Sequence, residues 1–217
     1  MGKVRAVFEK KGRARYISHL DLNRCMLRTF RRSKLPIWFT EGFNPHPYFS
    51  FALALSLGFE SSCEILDFTL TEELPFDEIK ERLNAVMPEG MKILSVSEQN
   101  QKITEIAKAE YAVELITESS DELTAEINSF MELDKILIEK KTKKGMKEVD
   151  LKPSVELTEV SASEAGVKLE MKLPAGVQTN YNPTLFIEAL EKYAKTSFST
   201  GKIVRKAILC ENNEKFS

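Results

Sequence analysis

The sequence predicts an α+β fold of two ferredoxin-like βαββαβ lobes in tandem, residues 1–103 and 104–217. Three observations predict it. Segments of alternating apolar and polar residues flank two helix-patterned segments in the first half, in the order strand, helix, strand, strand, helix, strand. The second half runs through the same order, although no residue-level identity joins the halves. Between them lies a polar segment, SEQNQKITEIAKA (97–109), where few apolar contacts can form. A chain of 217 residues, at roughly 150 per domain, also leaves room for two small domains.

In order along the chain, KVRAVFEKKGRARYI alternates around a Lys-Gly turn, as a half-buried strand or hairpin does. Ser18 stands three residues before Asp21 and opens an apolar-periodic run, so a helix is expected from about His19 to Ser33, ended by Leu35-Pro36. The aromatic, glycine- and proline-rich stretch 36–62 reads as strand, ordered loop and a short apolar segment. CEILDFTLTE is a strand. PFDEIKERLNAVMPEG is a helix, with Asp77 and Glu78 in its first turn and Pro-Glu-Gly beyond its end. MKILSVSE closes the first half as a strand. YAVELI, a helix capped at Ser120, an extended stretch with a lysine-rich turn at Lys143–Gly145, and GVKLEMKLP follow. The second half ends with a helix opened by Asn182-Pro183 and the strand KIVRKAILC.

Composition excludes several classes. With 42% apolar and 29% charged residues the chain is neither collagenous nor wholesale disordered. No apolar run reaches the roughly 20 residues that span a bilayer. No leader-like stretch opens the sequence, so no membrane attachment is expected. Cys25, Cys63 and Cys210 are odd in number and widely spaced, which points to small core residues of a reducing, cytoplasmic setting. No metal site and no cofactor is expected, because the phosphate-loop, dinucleotide and zinc-ligand spacings are all missing.

Charge is unevenly placed. Residues 1–50 carry eleven Lys/Arg against Glu9, Asp21 and Glu41, a net of +8, and the remainder nets −10. Such asymmetry suggests that the basic part meets a polyanion. At about 100° per residue, Arg24, Arg28, Arg31 and Arg32 share a third of the first helix, opposite Leu22, Met26 and Phe30. Arginine's planar fork matches phosphate geometry. Arg13 and Arg15, expected in the preceding strand, and Lys140, Lys141, Lys143, Lys144 and Lys147 would extend the surface. Trp38, Phe39, Phe43, Tyr48, Phe49 and Phe51 lie close in sequence to these arginines; most are expected in the core, but any left exposed would favour unpaired bases.

Both histidines fall in the same region. His19 opens the arginine helix, and His46 stands between two prolines in Gly42-Phe43-Asn44-Pro45-His46-Pro47. Three readings are open: an acid/base pair acting on RNA, a metal site with Asp21 or Glu41, and hydrogen bonds that merely fix loops. None of the three has a supporting motif, so His19 and His46 are weak catalytic candidates.

The runs RYISHLDL (15–22), RRSKLP (31–36), EGFNPHP (41–47), FALALSLGFES (51–61) and KEVDLKP (147–153) occur together. In this combination the chain resembles the bacterial family of radical-SAM-linked proteins, a domain of unknown function. Members of that family are encoded beside, or fused to, a radical S-adenosylmethionine (SAM) protein, often near a ribonuclease of the E/G type and ribosomal protein genes. The resemblance implies a radical SAM partner. The chain itself has no C-x-x-x-C-x-x-C run to hold that partner's iron–sulfur cluster.

Together these readings predict a non-catalytic RNA-binding accessory protein that presents a tRNA, ribosomal RNA or ribosome-related substrate to that partner. Arg13, Arg15, Arg24, Arg28, Arg31 and Arg32 would meet RNA, with His19, Asn44 and His46 shaping the adjoining pocket. Two alternatives are a histidine-dependent RNA-processing enzyme and a protein–protein adaptor for the radical SAM enzyme.

Overall fold

Alternating side chains and paired helices give the chain a mixed α+β architecture, seen in a computed structural model that describes residues 2–142, 145–176 and 179–217. Four helices of nine or more residues and ten strands are described. The chain divides into two compact units, Met1–Ile106 with Glu214–Ser217, and Ala107–Asn213.

In the first unit, β1 (Gly2–Lys10) pairs antiparallel with both β3 (Glu60–Leu70) and β4 (Met91–Glu98), and the short β2 (Phe49–Phe51) pairs antiparallel with β3. Strand order is therefore β4-β1-β3-β2. Helix α1 (His19–Ser33) starts as the sequence requires: Ser18 Oγ accepts from the Asp21 N–H (3.1 Å) and donates to Asp21 Oδ2 (2.8 Å). Its Leu22, Met26 and Phe30 are buried with Val4, Ala6 and Phe8 of β1, Leu66 and Phe68 of β3, and Ile79 and Leu83 of α2 (Phe76–Asn84). Lys34, in the left-handed region (φ 55°), turns the chain out of α1.

Two expectations for this unit change. Arg13 and Arg15 are not in a strand: β1 ends at Lys10, and Gly12–Tyr16 forms a 3-10 turn. The turn is held where Lys11 N–H donates to Gly90 O (2.7 Å) and Ala14 packs on Gly90. Nor is the basic segment wholly on the surface. Arg5 is fully buried in a two-pronged pair with Asp67 (Nε–Oδ1 2.7 Å, Nη2–Oδ2 2.8 Å), under the Phe216 ring 4.2 Å away. Lys10 is buried too, donating to Ile17 O (2.9 Å).

In the second unit, β5 (Ile106–Ile116) starts five residues before the expected strand, inside the polar segment. It pairs antiparallel with β9 (Gly166–Pro174), which pairs with β8 (Glu156–Ser163). With β10 (Ser199–Cys210) the strand order is β10-β5-β9-β8. Helix α3 (Ser120–Glu132) buries Leu123, Ile127 and Phe130, and α4 (Pro183–Tyr193) sets Phe186 against Phe130 at 5.5 Å. Asn182 caps α4 through Oδ1, but Ser120 is the first residue of α3 rather than its cap, and its hydroxyl donates to Ser163 O. The lysine-rich stretch is a separate hairpin of β6 (Leu137–Thr142) and β7 (Gly145–Asp150). Lys143 and Lys144, and the side chains of Lys140, Lys141 and Lys147, lie outside the described residues. Among the described residues no helix is long and apolar enough to cross a membrane.

Candidate nucleic-acid interface

The helical period decides which arginines meet. Measured from Arg24 around the α1 wheel, Arg28 stands at about 40°, Arg32 at about 80° and Cys25 at about 100°. Thr29 follows at the margin of the buried face, and Arg31 turns the other way, at about −20°. The structure follows this wheel. Arg24, Arg28 and Arg32 line a groove of about 560 Å³ together with Asp21, Cys25 and Thr29. Its other wall is Ala85, Val86, Met87 and Pro88, the turn that follows α2. Arg31 is exposed but does not line the groove.

The electrostatics of the stripe are unbalanced. Arg24 Nη1 donates to Asp21 Oδ1 (3.0 Å), a pair whose side chains are 60% and 59% exposed and which therefore contributes little. The Asp21 carboxyl is held below its ordinary value, first by the Ser18 hydroxyl and then by the Arg24 guanidinium. Among the described residues Arg28, Arg31 and Arg32 make no hydrogen bond or ion pair through their guanidinium groups. Four arginines on one exposed side with one carboxylate among them leave a local positive field that an anion would relieve.

Arg13 is exposed on the 3-10 turn. Arg15 lays its guanidinium over its neighbour Tyr16 (4.7 Å to the ring centroid) and donates to the phenol oxygen (2.6 Å). That turn borders the groove's outer wall through Gly90, because the 85–88 turn runs on to Gly90, which touches Lys11 and Ala14.

The aromatic residues divide. Phe49 and Phe51 pack inward, Phe49 against Phe30 (5.3 Å) and Phe51 against Phe8 (6.1 Å). Phe39, Phe43 and Tyr48 are exposed, Phe43 fully so, and Trp38 is half-buried edge-on to Tyr48 (5.1 Å). The loop that carries Phe43 is tied at its base. Thr40 N–H donates to His46 O (2.9 Å), His46 N–H donates to Thr40 Oγ1 (3.2 Å), and Phe39 bridges to Pro47. His46 Nδ1 lies 3.0 Å from Asn44 O and 3.1 Å from Thr40 Oγ1. A carbonyl only accepts, so Nδ1 carries the proton and the imidazole fastens the loop. Asn44 serves through its backbone oxygen while its side chain is exposed.

His19 rests edge-on against Phe51 (5.4 Å), at the end of β2 away from this loop. No contact between the two imidazoles is recorded among the described residues, and neither lines the groove. Nor is there, among those residues, a group of three or more His, Cys, Asp or Glu side chains placed to hold a metal ion. No disulfide joins Cys25, Cys63 and Cys210, and of the three only Cys210 is buried as a core residue, while Cys25 lines the groove.

Sequence reasoning missed Cys25, Thr29 and the 85–88 wall. The wheel places the first two beside Arg32, so their signal was available; the wall depends on how α2 docks against α1.

The family model described as "Uncharacterized protein conserved in bacteria (DUF2344)" matches residues 3–183, which include the whole arginine helix, the tied loop and the groove wall. The chain belongs to this bacterial family. No curated protein matches it. Among solved structures, one titled "Crystal Structure of an Unknown Protein from Galdieria sulphuraria" aligns over 92% of this chain and 96% of its own, at 9% identity and a TM-score of 0.28. A likeness that loose carries no argument about fold or function.

Proposed function

We propose that this protein is a non-catalytic RNA-binding accessory protein whose RNA site is the arginine face of α1. The observation that carries the reading is the groove lined by Arg24, Arg28 and Arg32, the last two without an intramolecular partner among the described residues. Exposed rings on the tied 39–48 loop of the same unit supply the stacking surfaces that unpaired bases use. Resting on the resemblance in the motif-bearing runs, the bound RNA is presented to a radical SAM partner.

The scaffold in this proposal is a pair of ferredoxin-like lobes. Strand order in each unit supports it: counted within its own unit, each sheet runs fourth, first, third, second, with the β6–β7 hairpin inserted into the second.

Salt-dependent RNA binding tests the site. About four phosphate contacts to a single strand give a log–log slope near −3, so a fourfold rise in salt weakens binding about fifty-fold. Arg24→Glu/Arg28→Glu/Arg32→Glu, checked as folded by circular dichroism, is expected to abolish that slope. Wild-type protein that binds no RNA at low salt overturns the proposal.

A further inference from the structure

Resting on the RNA reading above, we infer that the groove between α1 and the 85–88 turn is a subsite for one unpaired RNA strand, with consecutive phosphates on Arg24, Arg28 and Arg32 and a base against the aliphatic wall. The groove has two unlike sides. One is cationic, and the facing one is Ala85, Val86, Met87 and Pro88, whose side chains offer only apolar surface. An unpaired strand has the matching asymmetry across its width, phosphates along one flank and exposed base faces along the other. A duplex turns its bases inward and shows phosphate and sugar outward, so the aliphatic wall would meet nothing it could desolvate profitably. An acidic peptide would satisfy the arginines and leave that wall unfilled.

Size and spacing agree. The groove's volume of about 560 Å³ falls within the range of pockets that enclose a small ligand, enough for a short stretch of strand but not for a double helix. Arginines four residues apart step by about 6 Å along the helix axis, and the three together span about 12 Å. Each successive arginine also rotates about 40° towards Cys25, so the path crosses the helix obliquely and stays over the groove. Asp21, at the Arg24 end, places a carboxylate where a further phosphate would be repelled.

Cys25 is a built-in reporter, since it lines the groove and is partly exposed while Cys210 is buried. The experiment measures alkylation of Cys25 by iodoacetamide, followed by peptide mass spectrometry, in the full chain. It compares a uridine-rich single strand, a duplex of equal length, and polyglutamate. At about ten times its Kd the single strand is expected to slow Cys25 alkylation about tenfold, and the duplex is not. Arg28→Glu/Arg32→Glu is expected to remove the protection. If the single strand binds in an arginine-dependent way but leaves Cys25 unprotected, or the duplex protects equally, the subsite is overturned and the RNA reading stands. If neither RNA binds, both fall. Polyglutamate protecting where the single strand does not overturns the subsite in favour of an acidic protein segment.

Discussion

Replacing Asp67 by alanine should cost this protein more than any change on its basic face. Arg5 depends on that carboxylate, because its guanidinium is out of water and donates its two shortest hydrogen bonds to it, at 2.7 and 2.8 Å. What remains in Asp67→Ala is Gln101 O at 3.0 Å, Ser217 O at 3.4 Å and the Phe216 face at 4.2 Å, all longer contacts than the two that are lost. Gln99 Nε2 also loses its acceptor, Asp67 Oδ2 at 2.9 Å. Breaking one side of a buried pair costs about 3–5 kcal/mol, because the other charge is left uncompensated. For a chain of this length each kcal/mol moves Tm by about 2–4 °C, so the expected fall is roughly 6–20 °C. Thermal unfolding followed by circular dichroism at neutral pH reads it. Removing both charges in Arg5→Met/Asp67→Leu should restore most of the loss, since apolar groups of similar volume replace such pairs at little cost. The loss should also persist from low salt to about 0.5 M, because a buried pair is poorly screened. A fall of under about 2 °C in Asp67→Ala, or a double variant as unstable as the single, would refute this account.

Other perturbations separate scaffold from site. Gly90→Ala places a Cβ 2.5 Å from Lys11 O at a φ of +82°, so it should lower the urea midpoint by an amount equivalent to about 1–3 kcal/mol. Ser18→Ala removes the acceptor of the Asp21 N–H and should destabilise α1 by about 1 kcal/mol, read from the same urea titration. Because the Asp21 carboxyl is depressed below 3.8, its contribution is complete above that value and is lost as pH falls through the lower folded-state value. In a carboxyl NMR titration Ser18→Ala and Arg24→Gln should each move Asp21 back towards 3.8, the first by removing the hydroxyl's hydrogen bond and the second by removing the guanidinium's hydrogen bond and charge. Phe43→Ala should leave stability within about 0.5 kcal/mol, the ring being fully exposed, while weakening single-strand binding about tenfold or more through lost stacking.

Much of the first unit is legible along the chain because its signals are local. The Ser18–Asp21 cap and Leu35-Pro36 marked the two ends of α1, and the helical period its buried Leu22, Met26 and Phe30. Asn182-Pro183 likewise marked the start of α4. Where a signal was local but ambiguous, the reading slipped. GRARY alternates like a strand, yet Lys11 just before it donates to Gly90 O, from a turn far along the chain, and the segment closes into a 3-10 turn. Residues 106–109 end the largely polar segment that reads as a linker, yet Ile106 and Ala109 are buried and the segment pairs with β9 in strand β5.

The candidate site divides along the same line. Sequence by itself determined that four arginines share one side of one helix, because angular position depends on the helical period alone. It also placed His46 between two prolines in an ordered loop, since their fixed φ needs no distant partner. Only the tertiary structure decided which basic residues face solvent, for a charge is read the same way in sequence whether or not a carboxylate 62 residues away takes it inside, as Asp67 takes Arg5. It also decided that the arginines border a groove rather than a plain surface, since the facing wall comes from the turn after α2, and the docking of one helix beside another is a sum of contacts between residues far apart in the chain.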